Sequence, residues 1–258
     1  EAYIRARLFD MLIGDWDRHS DQWRWGIYKE GEKTVYKPIP RDRDQAFPRY
    51  DGVFFKTVMR IPALRHMQDF KDDIKNIKWF NREPYPLDLA ILESSNLEEW
   101  KKQARYIQEN LNDDYIKKSF ELIPDEVKQD YDKEVINNII ARKAKLEQFA
   151  EEYDKTLRRL VILKGTDEDD EFIITRLPKG KTNIKIYSGV DKTLILDEDF
   201  DKKATKEIRL YGLNGNDQFK VDGKPSKAIL TRIVGGVDDD IYEVKRSSHI
   251  KIYDYANG

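Results

Sequence analysis

Two polar stretches near the start of the chain carry the residue types that phosphoryl transfer needs. The first, LIGDWDRHSDQ, covers residues 12 to 22, and the second, RDRDQAF, covers residues 41 to 47. Phosphoryl transfer requires a carboxylate that orients the attacking hydroxyl, an amide that holds a metal ion, and a further carboxylate that bridges the metal to phosphate oxygens. Asp17 and Gln22 have the spacing of the first two groups. An aspartate of the second stretch would supply the third.

A predicted β-hairpin brings the two stretches together. Apolar residues alternate in WRWGIY and in TVYKPI, and the KEGEK between them is a typical turn sequence. Because the strands of a hairpin start and end side by side, we expect Asp42 and Asp44 to lie beside Asp17. The simpler alternative is a polar turn after a helix that ends at Gly14, with the second stretch forming a turn that is salt-bridged to a neighbouring arginine.

The rest of the chain divides into a helical part and a strand-rich part. After the second stretch the pattern is helical, with a capping-box start at Asn96 and Glu99. Near Leu160 the apolar period changes to that of short β-strands separated by Gly, Asp, Asn and Lys. The sequence therefore predicts an α+β protein, with a mainly helical domain that includes a β-hairpin over residues 1–158 and an all-β domain over residues 159–258.

Several smaller expectations concern the core. A single long helix is predicted from about Asp132. Aromatic residues near a hairpin could stack on a ligand but more often pack in the interior, so three tryptophans are expected in the core, namely Trp16, Trp23 and Trp25. Two histidines are expected to be structural, namely His66 and His249.

The strand-rich part contains a repeat. EIRLYGLNGNDQFKV from Glu207 overlays LTRIVGGVDDDIYEV from Leu230 at an offset of 23 residues, and a weaker copy begins at Asn183, 24 residues before the first. A nearly constant period, with two strands and a Gly/Asp turn per unit, predicts the stacked coils of a β-solenoid. A β-sandwich fits the same short strands and is the alternative.

The Gly/Asp turns also suggest a calcium site. GLNGNDQFK and GGVDDDIYE approximate the calcium-binding coil motif G-G-x-G-x-D-x-U-x. Calcium prefers oxygen ligands, and stacked turns could offer the carboxylates of Asp217, Asp238 and Asp240. The alternative is conformational, since Gly supplies the left-handed backbone of tight turns and Asp or Asn hydrogen-bonds to the nearby backbone.

Composition narrows the classes of partner. The 258 residues carry 47 Lys and Arg against 49 Asp and Glu, so the net charge is −2 and no positive field favours nucleic acid. Without cysteine the chain forms neither a disulfide scaffold nor a thiolate metal site. No apolar run reaches the length of a membrane span, so direct membrane insertion by this chain is not expected.

The two polar stretches also resemble a known catalytic core. LFDMLIGDWDRHSDQW followed by YKPIPRDRDQAF is similar to the core of the atypical kinase-like superfamily, which includes CotH-like, HipA-like and phosphatidylinositol-kinase-like enzymes. The resemblance implies a kinase C-lobe fold, with Mg²⁺ or Mn²⁺ and ATP as cofactors. It assigns Asp17 as the catalytic aspartate and His19 as the residue that shapes the catalytic loop. It assigns the metal to Gln22 and to Asp42 or Asp44.

The sequence departs from this superfamily in two respects. Gln22 stands where the superfamily has asparagine, so its amide would reach the metal through one more methylene. No β-rich N-lobe with a Gly-rich loop and a lysine precedes Glu1 in this sequence, so such parts, if they exist, lie upstream in a longer protein. Both an active and a degenerate kinase-like module fit this pattern.

The larger pattern resembles a set of bacterial envelope proteins, mainly from the Bacteroidetes. These proteins join a calcineurin-like metallophosphoesterase domain to an outer-membrane barrel of the surface-antigen type. The likeness is carried by GDWDRHSDQWRW, YKPIPRDRDQAF, EEWKKQARYIQENLNDDYI, VILKGTD and EIRLYGLNGNDQF. It implies a segment of a multidomain phosphoesterase, periplasmic or associated with the outer membrane. The phosphoesterase ligands themselves are not in this chain, whose histidines are His19, His66 and His249.

Three functional hypotheses follow from these patterns, and the last of them is calcium-dependent surface adhesion through the β-domain. The first is a kinase-like phosphoryl-transfer or nucleotide-binding module, whose partner is a nucleotide or a phosphorylated ligand. The second is a non-enzymatic spacer or interaction module that links an enzyme domain to an outer-membrane barrel, with the other domains of the same polypeptide as partners.

Overall fold

The chain folds into two compact units, Glu1–Thr156 and Leu157–Gly258. The computed structural model describes residues 1–50, 61–93, 95–124, 126, 130–224, 227–246 and 248–255. Within these ranges the protein is of mixed α+β class, with seven α-helices and three sheets. The α+β class predicted from the sequence is confirmed.

The helices belong to the first unit, apart from the last residue of the final helix. Their bounds are α1 Ala2–Ile13, α2 Ile77–Phe80, α3 Tyr85–Ile91, α4 Leu97–Asn110, α5 Asp113–Glu121, α6 Asp130–Ala144 and α7 Leu146–Leu157. α1 ends at Gly14, which adopts the left-handed conformation with φ 80°. α4 begins with the predicted capping box between Asn96 and Glu99. Local sequence therefore sets both of these helix ends.

No helix of the described ranges is long and apolar enough to cross a membrane.

The prediction of one long helix from about Asp132 is wrong. α6 ends at Ala144 and α7 begins at Leu146, so the helical hydrogen bonding is interrupted between them. The apolar period continues across the interruption, because Ile139 on α6 and Phe149 on α7 are both buried. Periodicity alone could not detect a break that leaves the buried stripe in phase.

The predicted β-hairpin is present and projects from the helices. β1 (Trp23–Glu30) pairs antiparallel with β2 (Lys33–Pro40), from Trp23 opposite Pro40 at the base to Glu30 opposite Lys33 at the turn. Trp23 is buried at the base, whereas Trp25 is 39% exposed. The expectation that all three tryptophans lie in the core is confirmed for Trp23 only, because Trp25 lies beyond the covered base of the hairpin and Trp16 is half-buried on the loop after α1.

The second unit consists of two sheets. Its strands are β3 Leu160–Lys164, β4 Glu171–Arg176, β5 Lys181–Tyr187, β6 Leu194–Asp201, β7 Glu207–Leu213, β8 Gln218–Gly223, β9 Leu230–Gly236, β10 Ile241–Val244 and β11 Ile250–Tyr253. A four-stranded sheet has the order β11-β9-β7-β3, and a five-stranded sheet has the order β10-β8-β4-β5-β6. Every pair in the four-stranded sheet is parallel.

The repeat of the sequence corresponds to the register of these parallel ladders. Glu207 lies opposite Leu230, and Gln218 lies opposite Ile241, both at the 23-residue offset. The coil before β7 and β8 is β3 and β4, since Leu160 lies opposite Glu207. The weaker copy expected from Asn183 is not a coil, because β5 and β6 form antiparallel pairs that extend the five-stranded sheet. Its apolar alternation is that of any half-buried strand, which explains the error.

The core of the second unit lies between its two sheets. Alternate residues of β4, β5, β7 and β9 point inward and are almost fully buried. The rings of Phe172 and Phe219 stack at 4.5 Å, and those of Phe219 and Tyr242 stack at 5.4 Å. These aromatic residues hold the same place in successive coils, so the repeat supplies the core as well as the strand pairing.

Candidate functional site

The base of the hairpin aligns the two polar stretches. We call residues 14–22 the Asp17 loop and residues 41–47 the Asp42 loop. The Arg41 N–H donates to the Gln22 carbonyl at 2.8 Å, which extends the hairpin pairing by one step. The Phe47 N–H donates to the Ile13 carbonyl at 2.9 Å. The two loops therefore run side by side from the hairpin base to the end of α1.

Arg18 binds both loops from the protein interior. Its guanidinium is fully buried, with Nη2 at 2.6 Å from Asp15 Oδ2 and Nε at 3.2 Å from Asp10 Oδ2. Nη1 donates to the Arg41 carbonyl and, at 3.4 Å, to the Gln22 carbonyl. One side chain thus fixes α1 and the two loops in a single arrangement.

A buried ionic network continues from Arg18 into the helices. Arg7 lies 3.0 Å from Asp10 and 3.1 Å from Asp88, and the hydroxyls of Tyr3 and Tyr153 donate to Asp88 at 2.6 and 2.5 Å. Burial raises the pKa of Asp10 to about 6, against the charges of three arginines that lower it. Buried carboxylates need such partners. These acids are therefore structural and are not available to a ligand.

Asp17 and His19 are close together on the Asp17 loop. The Asp17 side chain is 28% exposed, and its Oδ2 lies 3.9 Å from His19 Nε2. His19 also caps the short 3-10 turn Ser20–Gln22, because its Nδ1 accepts the Asp21 N–H at 3.3 Å. The imidazole therefore shapes the loop that presents Asp17 and Gln22.

Gln22 is half-buried, whereas Asp42 and Asp44 are exposed. Asp42 adopts the left-handed conformation with φ 48°, and its Oδ1 accepts the Asp44 N–H at 3.3 Å. Neither carboxylate forms an ion pair with a Lys or Arg of the described ranges. Arg43, which lies between them, turns inward to Asp10 at 3.3 Å. The salt-bridged turn considered as the alternative would have used these acids, but Arg18 and Arg43 pair with the buried ones.

The side chains of Trp16, Tyr50 and His66 form an aromatic cluster beside Asp17, and the sequence did not predict these contacts. Trp16 donates through Nε1 to the Tyr50 hydroxyl at 2.9 Å, and its ring centroid lies 4.5 Å from that of His66. Burial raises the pKa of the Tyr50 hydroxyl, and the charge of Asp17 adds to the rise. Burial lowers the pKa of His66, while the charges of Glu83 and Asp17 oppose this effect. The one sequence signal was the position of Trp16 next to Asp17.

The oxygen atoms on the two loops suit a hard divalent cation. Mg²⁺ is usually held by one or two carboxylates together with the phosphates of a substrate. Gln22 offers an amide oxygen, and Asp42 and Asp44 offer carboxylates that no cation of the described ranges neutralises. Among those same residues, no three His, Asp or Glu side chains lie close enough to hold a metal by themselves. A metal here would thus take further oxygen ligands from water or from phosphate.

The three possible calcium ligands serve as hydrogen-bond acceptors between coils. Asp217 Oδ1 accepts the Asp170 N–H at 2.8 Å, and Asp240 Oδ1 accepts the Asp217 N–H at 2.9 Å. We call Asp170, Asp217 and Asp240 the Asp column. Asp238 Oδ2 accepts the Gly215 N–H at 3.2 Å. Each of these carboxylates therefore joins one turn to the next through one of its two oxygens.

The glycines of the turns make room for the Asp column. A Cβ atom on Gly212 would lie 1.9 Å from Asp217 Oδ2, and one on Gly235 would lie 1.9 Å from Asp240 Oδ2. Each aspartate thus folds back over the glycine five residues before it. Close packing of backbone and carboxylate accounts for the Gly/Asp spacing without a bound ion.

Comparisons with known proteins provide no relative to which these sites can be matched. No family model, no curated protein and no solved structure matches the chain. Its function must therefore be inferred from the two loops and from the repeat.

Proposed function

We propose that the first unit is a kinase-like phosphoryl-transfer or nucleotide-binding module, with its site between the Asp17 loop and the Asp42 loop. The observation that supports this most directly is the hydrogen bond from the Arg41 N–H to the Gln22 carbonyl. It makes the residue before Asp42 the cross-strand neighbour of Gln22. An amide and a carboxylate are then available on adjacent backbones, beside the loop that carries Asp17.

The burial of the aspartates supports the same proposal. Asp10 and Asp15 are buried against arginines, whereas Asp17, Asp42 and Asp44 face solvent at least in part. A carboxylate that is not neutralised by the protein can interact with a cation at little desolvation cost. The region thus separates acids that support the fold from acids that remain available for chemistry.

Each available side chain has a role in this proposal. Asp17 accepts a hydrogen bond from the attacking hydroxyl and orients it, and His19 holds the loop that carries Asp17. Gln22 and Asp42 or Asp44 would hold Mg²⁺ or Mn²⁺. A bound metal supplies neutralisation of phosphate charge. The contact of Trp16 with His66 ties the Asp17 loop to the segment that carries His66.

The finer fold assignments are part of the proposal. The order of helix, polar loop, hairpin, second polar loop and further helices supports a C-lobe-like first unit. The parallel registers at the 23-residue offset support a β-solenoid for the second unit. A stack of this kind is rigid along its axis, which favours a spacer role for the second unit. On the likeness to envelope proteins, its partners would be other domains of the same polypeptide in the bacterial cell envelope.

Nucleotide binding by the intact protein tests the proposal. Isothermal titration with ATP and Mn²⁺ is expected to give saturable binding that weakens about tenfold or more in Asp42→Asn or Asp44→Asn, depending on which carboxylate holds the metal. Asn tolerates a left-handed backbone, so Asp42→Asn preserves the local conformation. Asp17→Asn should still bind but should lose any turnover of ATP.

Asp21→Asn is the matched control, because Asp21 is an exposed acid of the same loop and has no role in the proposal. It should bind as the unmodified protein does. Absence of binding to the unmodified protein, or equal weakening by Asp21→Asn and by both metal-site variants, would refute the proposal.

A further inference from the structure

The outward face of the four-stranded sheet carries a row of cations that the proposed function does not use. We propose that this row, formed by Arg209, Arg232 and Lys251, binds an acidic polysaccharide through its carboxylate groups. Arg209 lies opposite Arg232 in the parallel ladder, and Arg232 lies opposite Lys251. The neighbouring residues Ile208 and Ile233 point inward and are fully buried. The three cations therefore project together from one side of the sheet.

Such a row is unfavourable for the fold itself. Adjacent strands lie about 4.8 Å apart, and like charges directly opposite each other are destabilising. Glu207 relieves only part of the repulsion, because its single carboxylate lies 2.7 Å from Arg209 Nε and 2.9 Å from Arg232 Nε. Two cationic side chains thus share one acid, and Lys251 is exposed beside them. A ligand with several carboxylates would complete the neutralisation.

The five-stranded sheet arranges its charges differently. Lys220 pairs with Glu171 at 2.5 Å, and Lys245 pairs with Asp222 at 2.6 Å. In the parallel ladder of β8 and β10, Lys220 lies opposite Glu243. Lys245 comes directly after the end of β10, the strand that carries Glu243. Opposite charges therefore alternate on that face, as the stability of a ladder favours. The cation row of the four-stranded sheet is a departure from the pattern of the same unit.

An aromatic ring next to the row fits a sugar rather than a simple anion. Arg232 Nη1 donates to the Tyr253 hydroxyl at 2.5 Å, which fixes this half-exposed phenol beside the cations. An amphipathic ring held in this way can pack against the apolar face of a pyranose. Because Glu207 uses the Nε of each guanidinium, Arg209 and Arg232 keep terminal nitrogens that can donate to carboxylates.

The size of the row argues against other polyanions. Nucleic-acid binding usually engages about six to ten phosphates, and recruitment to anionic lipid uses clusters of about four to eight cations. Three cations on a chain of net charge −2 provide neither number. A short run of uronate residues needs only one cation near each carboxylate, and three cations are enough for this. An acidic polysaccharide is therefore the ligand class that this face fits best.

Binding of a labelled oligogalacturonate to the full chain, followed by fluorescence anisotropy at low salt, tests the proposal. The double variant Arg232→Gln/Lys251→Gln should weaken binding about tenfold or more, and the fully methyl-esterified oligomer should not bind. Lys220→Gln/Lys245→Gln, which removes two cations from the other sheet, should leave binding unchanged. Thermal melting of each variant identifies any loss of fold.

Two kinds of result would contradict the binding of a polysaccharide to the cation row. No binding of the oligomer to the folded protein, or equal weakening by both double variants, overturns the proposal. Tighter binding of single-stranded DNA or of phosphatidylglycerol vesicles than of the oligogalacturonate would overturn the choice of a polysaccharide.

Discussion

At the scale of single residues, Arg18 has more influence on the candidate site than any of the acids that could do chemistry. It neutralises two buried carboxylates and binds the carbonyls of both loops. Removal of one partner from a buried ionic network leaves uncompensated charge. Arg18→Gln should therefore lower the free energy of unfolding of the first unit by about 3 to 5 kcal/mol. Urea denaturation followed by tryptophan fluorescence would measure the change.

Arg24→Gln provides the control for this substitution. Arg24 is exposed on the hairpin and donates to backbone carbonyls of Asp21 and Trp23. Its replacement should change stability by less than about 1 kcal/mol, as is usual for surface sites. Similar losses for the two variants would contradict the role given to the buried network.

The sequence indicated which residues could do chemistry but not which acids are structural. The sequence around Asp10, Asp15 and Asp17 does not show which of them is buried. In the folded protein Asp10 and Asp15 are buried, whereas Asp17 is partly exposed. One signal was available, since Arg7 lies on the apolar stripe of α1 between Ile4 and Leu8. A charged residue on a buried stripe predicts a buried partner, although it does not identify that partner.

At the scale of elements, the Asp column makes the second unit sensitive to pH. Burial raises the pKa of Asp217 to about 7, and the charges of Asp240 and Asp170 add to the rise. The ordinary value is 3.8, so the folded state holds a proton that the unfolded state has lost. This contribution to stability is complete below pH 3.8 and is lost as the pH rises through about 7.

Asp217→Asn should remove this pH dependence. The amide keeps the oxygen that accepts the Asp170 N–H and carries no charge. The melting temperature of the second unit should therefore rise most at pH 8, rise less at pH 5 and change little below pH 3.8. Asp239→Asn, an exposed acid in the turn of the next coil, should leave the pH profile as it is. An unchanged profile in Asp217→Asn would show that another group is responsible.

The glycine beneath the Asp column offers an independent test of the packing. Gly212→Ala would put a Cβ atom 1.9 Å from Asp217 Oδ2 and 2.4 Å from the Gly235 carbonyl. Overpacking of this kind typically costs about 1 to 3 kcal/mol, so the second unit should melt at a clearly lower temperature. Gly31→Ala, in the hairpin turn, meets no atom within 4 Å and should show only the strain of its left-handed backbone.

The elements themselves were largely predictable because their signals are local. The alternation of β1 and β2, the capping box of α4 and the glycine after α1 all act within a few residues. Pairing partners are not local. β5 alternates like a coil strand but pairs antiparallel with β4, and no short-range pattern distinguishes the two arrangements.

At the scale of the whole molecule, the division into two units predicts independent folding. The buried cluster around Phe172, Phe219 and Ile233 is built from residues that all follow residue 157. The ladders of both sheets also begin and end within the second unit. Every long-range pairing that this unit needs is therefore encoded in its own sequence.

A chain of residues 157–258 alone should consequently fold cooperatively. We expect a single thermal transition with the β-type circular dichroism of the two sheets, and the same rise in stability toward acidic pH that Asp217 produces in the full chain. The Asp217→Asn variant of the isolated unit should lose that rise, which ties the transition to native packing of the Asp column. A chain of residues 1–156 with Arg18→Gln serves as the complementary control, because its loss of stability should not depend on the β-unit. An isolated second unit that unfolds without cooperativity would mean that its core is incomplete without the first unit.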